Sequence, residues 1–322
     1  MPNQPVNLPR EGRTLRVLSL HAGGIRTLYT IRVLKRLMAE FDKTRPPTEG
    51  KSQPCDVFDM IGGVETGGLL ALMLGRLQIS LDDCETKFKY LCEKIYQPRR
   101  QNQSRQELTS EVFLPAVKEI CGGQYSTEMV RLRNTYISCR VCVILKCSES
   151  GPYSWDILST YTRDVEDVSH PNRKDADVWR VAAATTATVG QFEPQLLSEF
   201  AEGLGSWHPD RSLADPVDFV AREVKAEFPG VGALFINIGS GVSDRRWTQL
   251  TSTNNFFRDN PKVVEGEISI NHTQLLGRFP AYSFSNWNEM EDKVTNFMSR
   301  DDINQEIVEY ARKLSEACPP QI

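Results

Sequence analysis

Val57-Phe-Asp-Met-Ile-Gly-Gly-Val-Glu-Thr-Gly-Gly-Leu-Leu-Ala-Leu-Met-Leu74 reads as a strand, a glycine-rich turn and a buried helix in unbroken succession. The strand is placed at Val57–Ile61 and the turn at Gly62–Gly68, with the helix core at Leu69–Leu74. The same order occurs once upstream. Arg16-Val-Leu-Ser-Leu20 is a short apolar run that leads into His21-Ala-Gly-Gly-Ile-Arg26. Leu28, Ile31, Leu34, Leu37, Met38 and Phe41 follow at helical spacing. Two strand–turn–helix units in succession predict parallel neighbouring strands joined by right-handed crossovers, and hence an α/β chain.

Outward from these units the pattern stays interlocked. Ser80 is an N-cap with Asp83 three residues on, opening a helix to about Tyr96. Helices are expected over Glu107–Ile120, Ala176–Ala187 and Asp301–Ala317, and strands over Arg133–Cys147 and Gly232–Ile238. Asp215-Pro216 looks like a cap followed by proline in the first turn, opening a helix over Val217–Phe228. No linker separates two halves, so residues 1–322 are expected to form one domain. Its parts are a flexible segment at 1–13, a motif-bearing core at 14–245 and a helical extension at 246–322.

Composition narrows the classes. The 322 residues are 40% hydrophobic and 25% charged, which excludes a disordered or collagen-like chain. The net charge of −4 offers no basic excess for nucleic acid. No run of 18 apolar residues and no signal-peptide pattern occurs, so a cytoplasmic protein without a transmembrane segment is expected. The eight cysteines then read as free thiols. Cys139, Cys142 and Cys147 fall in a buried strand with no second Cys/His pair, so no metal is expected. No organic cofactor is implied either.

Chemistry concentrates in the two glycine-rich turns. Gly63-Val-Glu-Thr-Gly67 has the frame of a nucleophile elbow, with glutamate where a serine would stand. Glycines let a strand turn sharply into a helix, holding the tip residue at the helix's positive end. In the other turn, Gly23 and Gly24 offer backbone N–H groups as an oxyanion nest.

Leu18-Ser-Leu-His-Ala-Gly-Gly-Ile-Arg-Thr-Leu28 resembles the opening motif of the patatin-like phospholipases, whose Asp-Gly-Gly-Gly-x-Arg-Gly turn supplies the oxyanion hole. Cys55–Gly68 resembles that family's segment ending in the serine elbow, and Ala201-Glu-Gly-Leu-Gly-Ser-Trp-His-Pro209 the segment carrying its dyad aspartate. Ala182–Ala187 and Ile236–Gly241 sit where the family has a small-residue helix and a Gly-x-Gly strand end. Loop spacing is most similar to fungal members. The resemblance implies a three-layer α/β/α patatin-like fold with a mostly parallel central sheet.

The departures fall on chemical side chains. Glu65 occupies the nucleophile position and Ala201 the dyad aspartate position, while His21-Ala22 replaces Asp-Gly. A serine-acyl mechanism needs the serine. A carboxylate in a partly desolvated pocket needs a partner or a proton. His21 is one candidate partner, in an ion pair that would raise the histidine pKa and lower that of Glu65. Glu202 is the second candidate: if its side chain turns inward, it shares a proton with Glu65. The leading expectation is therefore a repurposed acid/base enzyme of cyclase, isomerase or dehydratase type, acting on an apolar small molecule of secondary metabolism. The competing readings are a dead family member that binds lipid-like ligands or serves as a scaffold, and a residual lipid acyl hydrolase.

The remaining residues carry plainer readings. Arg26 either binds an anionic group or fixes its turn. Thr66 caps the helix after the elbow. The loop of His208 is expected to border the pocket, and Trp207 beside it either walls the pocket or packs at the surface. His170 and His272 read as surface histidines, and Arg99–Arg105 as a solvated loop. Homo-oligomerisation is left open.

Overall fold

The computed structural model describes residues 14–97, 104–122, 132, 139–147, 155–161, 176–188, 190–197, 206–209, 213, 215–241, 264–272 and 275–317. Among the described residues seven strands form one sheet: β1 Leu15–Leu20, β2 Met60–Val64, β3 Arg140–Cys147, β4 Trp155–Ser159, β5 Trp207–His208, β6 Ala233–Ile238 and β7 Val264–Ile270. The strand order is β4-β3-β2-β1-β6-β7, with β5 also paired to β3. The β3–β2–β1–β6–β7 pairs are parallel, and β4 and β5 run antiparallel to β3.

The main helices are α1 Thr27–Asp42, α2 Thr66–Ala71, α3 Leu81–Ile95, α4 Leu114–Gly122, α5 Val178–Thr186, α6 Val217–Glu227, α7 Trp287–Met298 and α8 Asp301–Glu316. Alternation along β1 shows why helices cover both faces. Leu18 and Leu20 join the larger core with α1–α5, α7 and α8. Leu15 and Val17 join a second core with Val217, Val220, Ala221 and Val224 of α6. All six β1 residues are buried, as a parallel sheet covered on both sides requires. The result is the three-layer α/β/α architecture that the sequence predicts.

Several boundaries move. The expected strand at Val57–Ile61 lies three residues later, at Met60–Val64. Pro54–Val57 is instead a turn of helix, closed by reciprocal capping between Gln53 and Asp56. Parallel pairing of Val17 with Met60 and of Leu20 with Gly63 then sets the register. Gly62 and Gly63 therefore belong to the strand, and the turn shrinks to Glu65 alone. Helix α2 passes at Leu72–Arg76 into a wider π turn. Ser80 caps α3, its Oγ accepting the Asp83 N–H at 3.1 Å. The capping oxygen before α6 is Asp215 Oδ1, which accepts Val217 N–H at 3.0 Å. The segment expected to be a helical extension also contributes a sheet strand, β7, paired along β6.

The elbow depends on glycine at two places. A Cβ at position 67 would lie 2.2 Å from the Leu20 carbonyl oxygen and 2.5 Å from that of His21. A Cβ at 63 would lie 2.3 Å from the Gly67 oxygen. Gly67→Ala is accordingly expected to lower stability by about 1–3 kcal/mol or more, since rigid backbone must yield. Urea unfolding against the parent chain measures this, and an unchanged midpoint would show that α2 can move off β1.

Candidate active site

Glu65 stands alone between β2 and α2, with φ 54° and ψ −126°. This left-handed conformation is unusual for a residue with a side chain and is tolerated only where surrounding structure imposes it. Here the imposing bonds are visible. The Glu65 carbonyl accepts Leu69 N–H at 3.1 Å and the Thr185 hydroxyl of α5 at 3.0 Å. The side chain is 5% exposed.

The Glu65 carboxylate reaches into the other glycine-rich turn. Its Oε2 accepts the Gly23 N–H at 3.0 Å, and its Oε1 accepts the Tyr282 hydroxyl. Thr66 enters the same nest: its Oγ1 accepts Gly23 N–H at 3.2 Å and Gly24 N–H at 3.1 Å, and bonds Thr27 Oγ1 at 2.7 Å. The Gly23 and Gly24 N–H groups thus converge on the elbow, where the chain's own side chains accept them. Thr66 does not cap α2, whose N-cap is Glu65 with no side-chain capping bond; its hydroxyl serves the neighbouring turn instead. Burial pushes the Glu65 carboxyl above its ordinary range, partly offset by the Tyr282, Gly23 and Gly24 hydrogen bonds and by the Arg26 charge.

His21 does not pair with Glu65, contrary to the expected ion pair. Its Nε2 lies 3.2 Å from Asp215 Oδ1 and 2.9 Å from Asn237 Oδ1. The reason lies in the strand pleat. His21 follows β1 at its C-terminal end, and its ring lies beside Asn237 of β6 and the cap of α6, whereas Glu65 reaches Gly23. Burial alone would lower the His21 pKa, yet the Asp215 charge and hydrogen bond carry it above the usual value. Burial opposes ionisation of Asp215 too, and its bond to His21 brings the carboxyl below its ordinary range. Glu65 correspondingly rises instead of falling.

The other expected residues divide. Arg26 fixes its turn: Nε donates to Gly23 O at 3.2 Å and Nη1 to Phe279 O at 3.4 Å. Ala201 and Glu202 lie outside the described residues, as does His170. Trp207 and His208 are placed by backbone alone, opposite Cys147 and Lys146. His272 is not a loose surface residue. Its Nδ1 meets the Tyr29 hydroxyl at 2.5 Å and its Nε2 lies 3.0 Å from Glu306. Sequence reasoning missed Tyr282, which sits 217 positions from Glu65 and carries no local signal. It also took Asp215 for a helix cap only, and the cap signal hides the second role.

Comparison with known proteins places this geometry. The patatin-like phospholipase family matches residues 18–215. This chain belongs to that family. It is 35% identical over 310 residues to patatin-like phospholipase 1 of Plasmodium falciparum, covering 84% of this chain and 42% of that protein. It is 29% identical over 243 residues to calcium-independent phospholipase A2-gamma of Oryctolagus cuniculus, covering 72% of this chain and 29% of that protein. With patatin-like protein 2 of Arabidopsis thaliana it shares 27% over 200 residues, 58% of this chain and 45% of that one. The matched region thus spans less than half of each of these relatives. These names overturn the cyclase, isomerase or dehydratase expectation, because they point to lipid hydrolysis. Among the described residues no helix is long and apolar enough to cross a membrane.

The His21–Asp215 pair has a defined pH signature. The raised His21 pKa adds stability below about pH 6.5, lost as pH rises through the folded value. The lowered Asp215 pKa adds stability above about pH 3.8, lost as pH falls through its depressed value. Asp215→Asn should therefore destabilise by about 1–3 kcal/mol near pH 5.5 and by clearly less at pH 9. Urea titrations at the two pH values test this, and equal losses would show that the pair is not ionised.

Proposed function

We propose that this chain hydrolyses lipid acyl esters slowly, by direct attack of water, with Glu65 as general base. Glu65 takes the position of the family's serine, so no acyl-enzyme forms. The observation that carries the reading is the Glu65 carboxylate held at the elbow tip against the Gly23 N–H.

The chemistry needs few parts. The Glu65 carboxylate takes a proton from water as the water oxygen adds to the acyl carbon. The carbonyl oxygen becomes an oxyanion on the Gly23 and Gly24 N–H groups, after Glu65 Oε2 and Thr66 Oγ1 release them. Collapse expels the alcohol oxygen, which recovers the proton from Glu65, leaving a carboxylic acid and an alcohol. A carboxyl raised by burial is a better base near neutral pH than an exposed one. The need to free occupied donors explains why turnover is expected to be low, since donors pre-aimed at the oxyanion are a large part of such catalysis. The family names of the relatives support lipid as the substrate class. The fungal likeness in loop spacing and the loss of the dyad aspartate at Ala201 belong to the same proposal.

The test uses p-nitrophenyl butyrate and phosphatidylcholine vesicles. Glu65→Gln should lower the rate about 10²-fold or more, the range for loss of a general base. The parent chain should show no acyl-enzyme burst and no labelling of residue 65 by a fluorophosphonate. Hydrolysis that survives Glu65→Gln would overturn the reading and point to another nucleophile.

A further inference from the structure

The segment Phe279-Pro-Ala-Tyr-Ser-Phe284 crosses the glycine-rich turn and reaches the elbow. It lies outside residues 18–215, which match the family. The Ala281 carbonyl accepts the Ile25 N–H at 2.7 Å. It sits so close over the turn that a Cβ at Gly24, where φ is +54°, would lie 2.0 Å from it. Phe279 O accepts from Arg26, and Phe284 N–H donates to the Tyr96 carbonyl at 3.0 Å. The Tyr282 ring lies 5.7 Å from that of Tyr96, and its hydroxyl donates to Glu65.

This segment has neither helix nor strand, and its outer side faces solvent. Phe279 is buried in the core at one end and Phe284 stacks on Trp287 at the other, with ring centroids 5.0 Å apart. Between these anchors Pro280 is exposed and Ala281–Ser283 are half-buried, whereas Ile25 and Glu65 beneath are buried. A short irregular stretch of this kind opens locally at lower free energy than core strands. Both Glu65 oxygens are engaged, one by the rigid turn and one by Tyr282. An ester that takes over the turn N–H groups first has to pass Tyr282, which is the partner carried on the weaker element.

We infer that Pro280–Ser283 is a removable strap over the acyl-ester site, anchored at Phe279 and Phe284 and latched by Tyr282 on Glu65, and that a lipid acyl ester enters where the strap lies. The entry route rests on the hydrolase reading above; the latch rests on geometry alone. The Ile25 amide reports strap opening, because its acceptor is the strap carbonyl, while the His21 amide, bonded to Ile238 O, reports the sheet.

Hydrogen exchange of the full chain is the test. Ile25 should exchange about tenfold or more faster than His21, and Tyr282→Phe should accelerate Ile25 about tenfold again without moving His21. A short-chain diether phosphatidylcholine, which has no ester to cleave, should accelerate Ile25 in the parent chain. If Ile25 exchanges only as fast as His21 in both proteins, the strap is a fixed part of the fold and the inference falls, whatever the hydrolysis assays show. If Tyr282→Phe and the ether lipid both release Ile25 while neither protein cleaves esters, the strap stands and the hydrolase reading falls alone.

Discussion

Everything at the candidate site follows from the close approach of α2 to the end of β1. One residue separates the end of β2 from the start of α2, so the chain reverses within Glu65. That reversal is possible only because position 67 presents no side chain to the Leu20 and His21 carbonyls, and position 63 none to Gly67. The approach brings the start of α2 against the turn after β1. Two sets of backbone donors and one strained residue then share a few ångströms. Part of what holds the backbone here does not involve the side chain at position 65, since its carbonyl is bound by Leu69 and Thr185.

The side chain at 65 decides what such a scaffold does. A serine hydroxyl is short and leaves the nest of N–H groups open to a ligand. Glutamate is long enough to fill part of the nest itself. Unmet buried N–H groups are unfavourable, so a carboxylate within reach is drawn to them. The same burial that makes the carboxyl harder to ionise makes these bonds valuable to the ionised form. Burial and hydrogen bonding thus oppose each other in Glu65, with burial the stronger. In Asp215 the balance is reversed, because a histidine faces it.

How much of this is legible in the sequence depends on the distance over which each signal acts. The strand–turn–helix units are local and both are present, the second with its strand three residues later than the hydropathy puts it. The three-residue shift of β2 comes from pairing with β1, which hydropathy cannot register. The convergence of Gly23 and Gly24 on the elbow follows from parallel order, so it too is readable. The partner of His21 is not, because it depends on which side of the sheet the ring leaves β1. Tyr282 is the extreme case: the strap that brings it has no repeat, cap or motif, and only the tertiary fold ties it to Glu65.

Arg26 shows how the strap and the turn are one construction. Its guanidinium donates inward to Gly23 O and outward to Phe279 O, so it ties the donor-bearing turn to the segment above it. Its charge also favours the ionised form of Glu65. A cation free to hold an anionic ligand would leave the turn less constrained. The arrangement instead commits Arg26 to the turn, the strap and the field around Glu65 at once. Displacing the strap removes the Tyr282 donor from Glu65, while Arg26 keeps the Phe279 carbonyl at the strap's buried anchor. Opening would therefore free a carboxylate oxygen while the donor-bearing turn stays fixed, and that oxygen is the group an attacking water would meet.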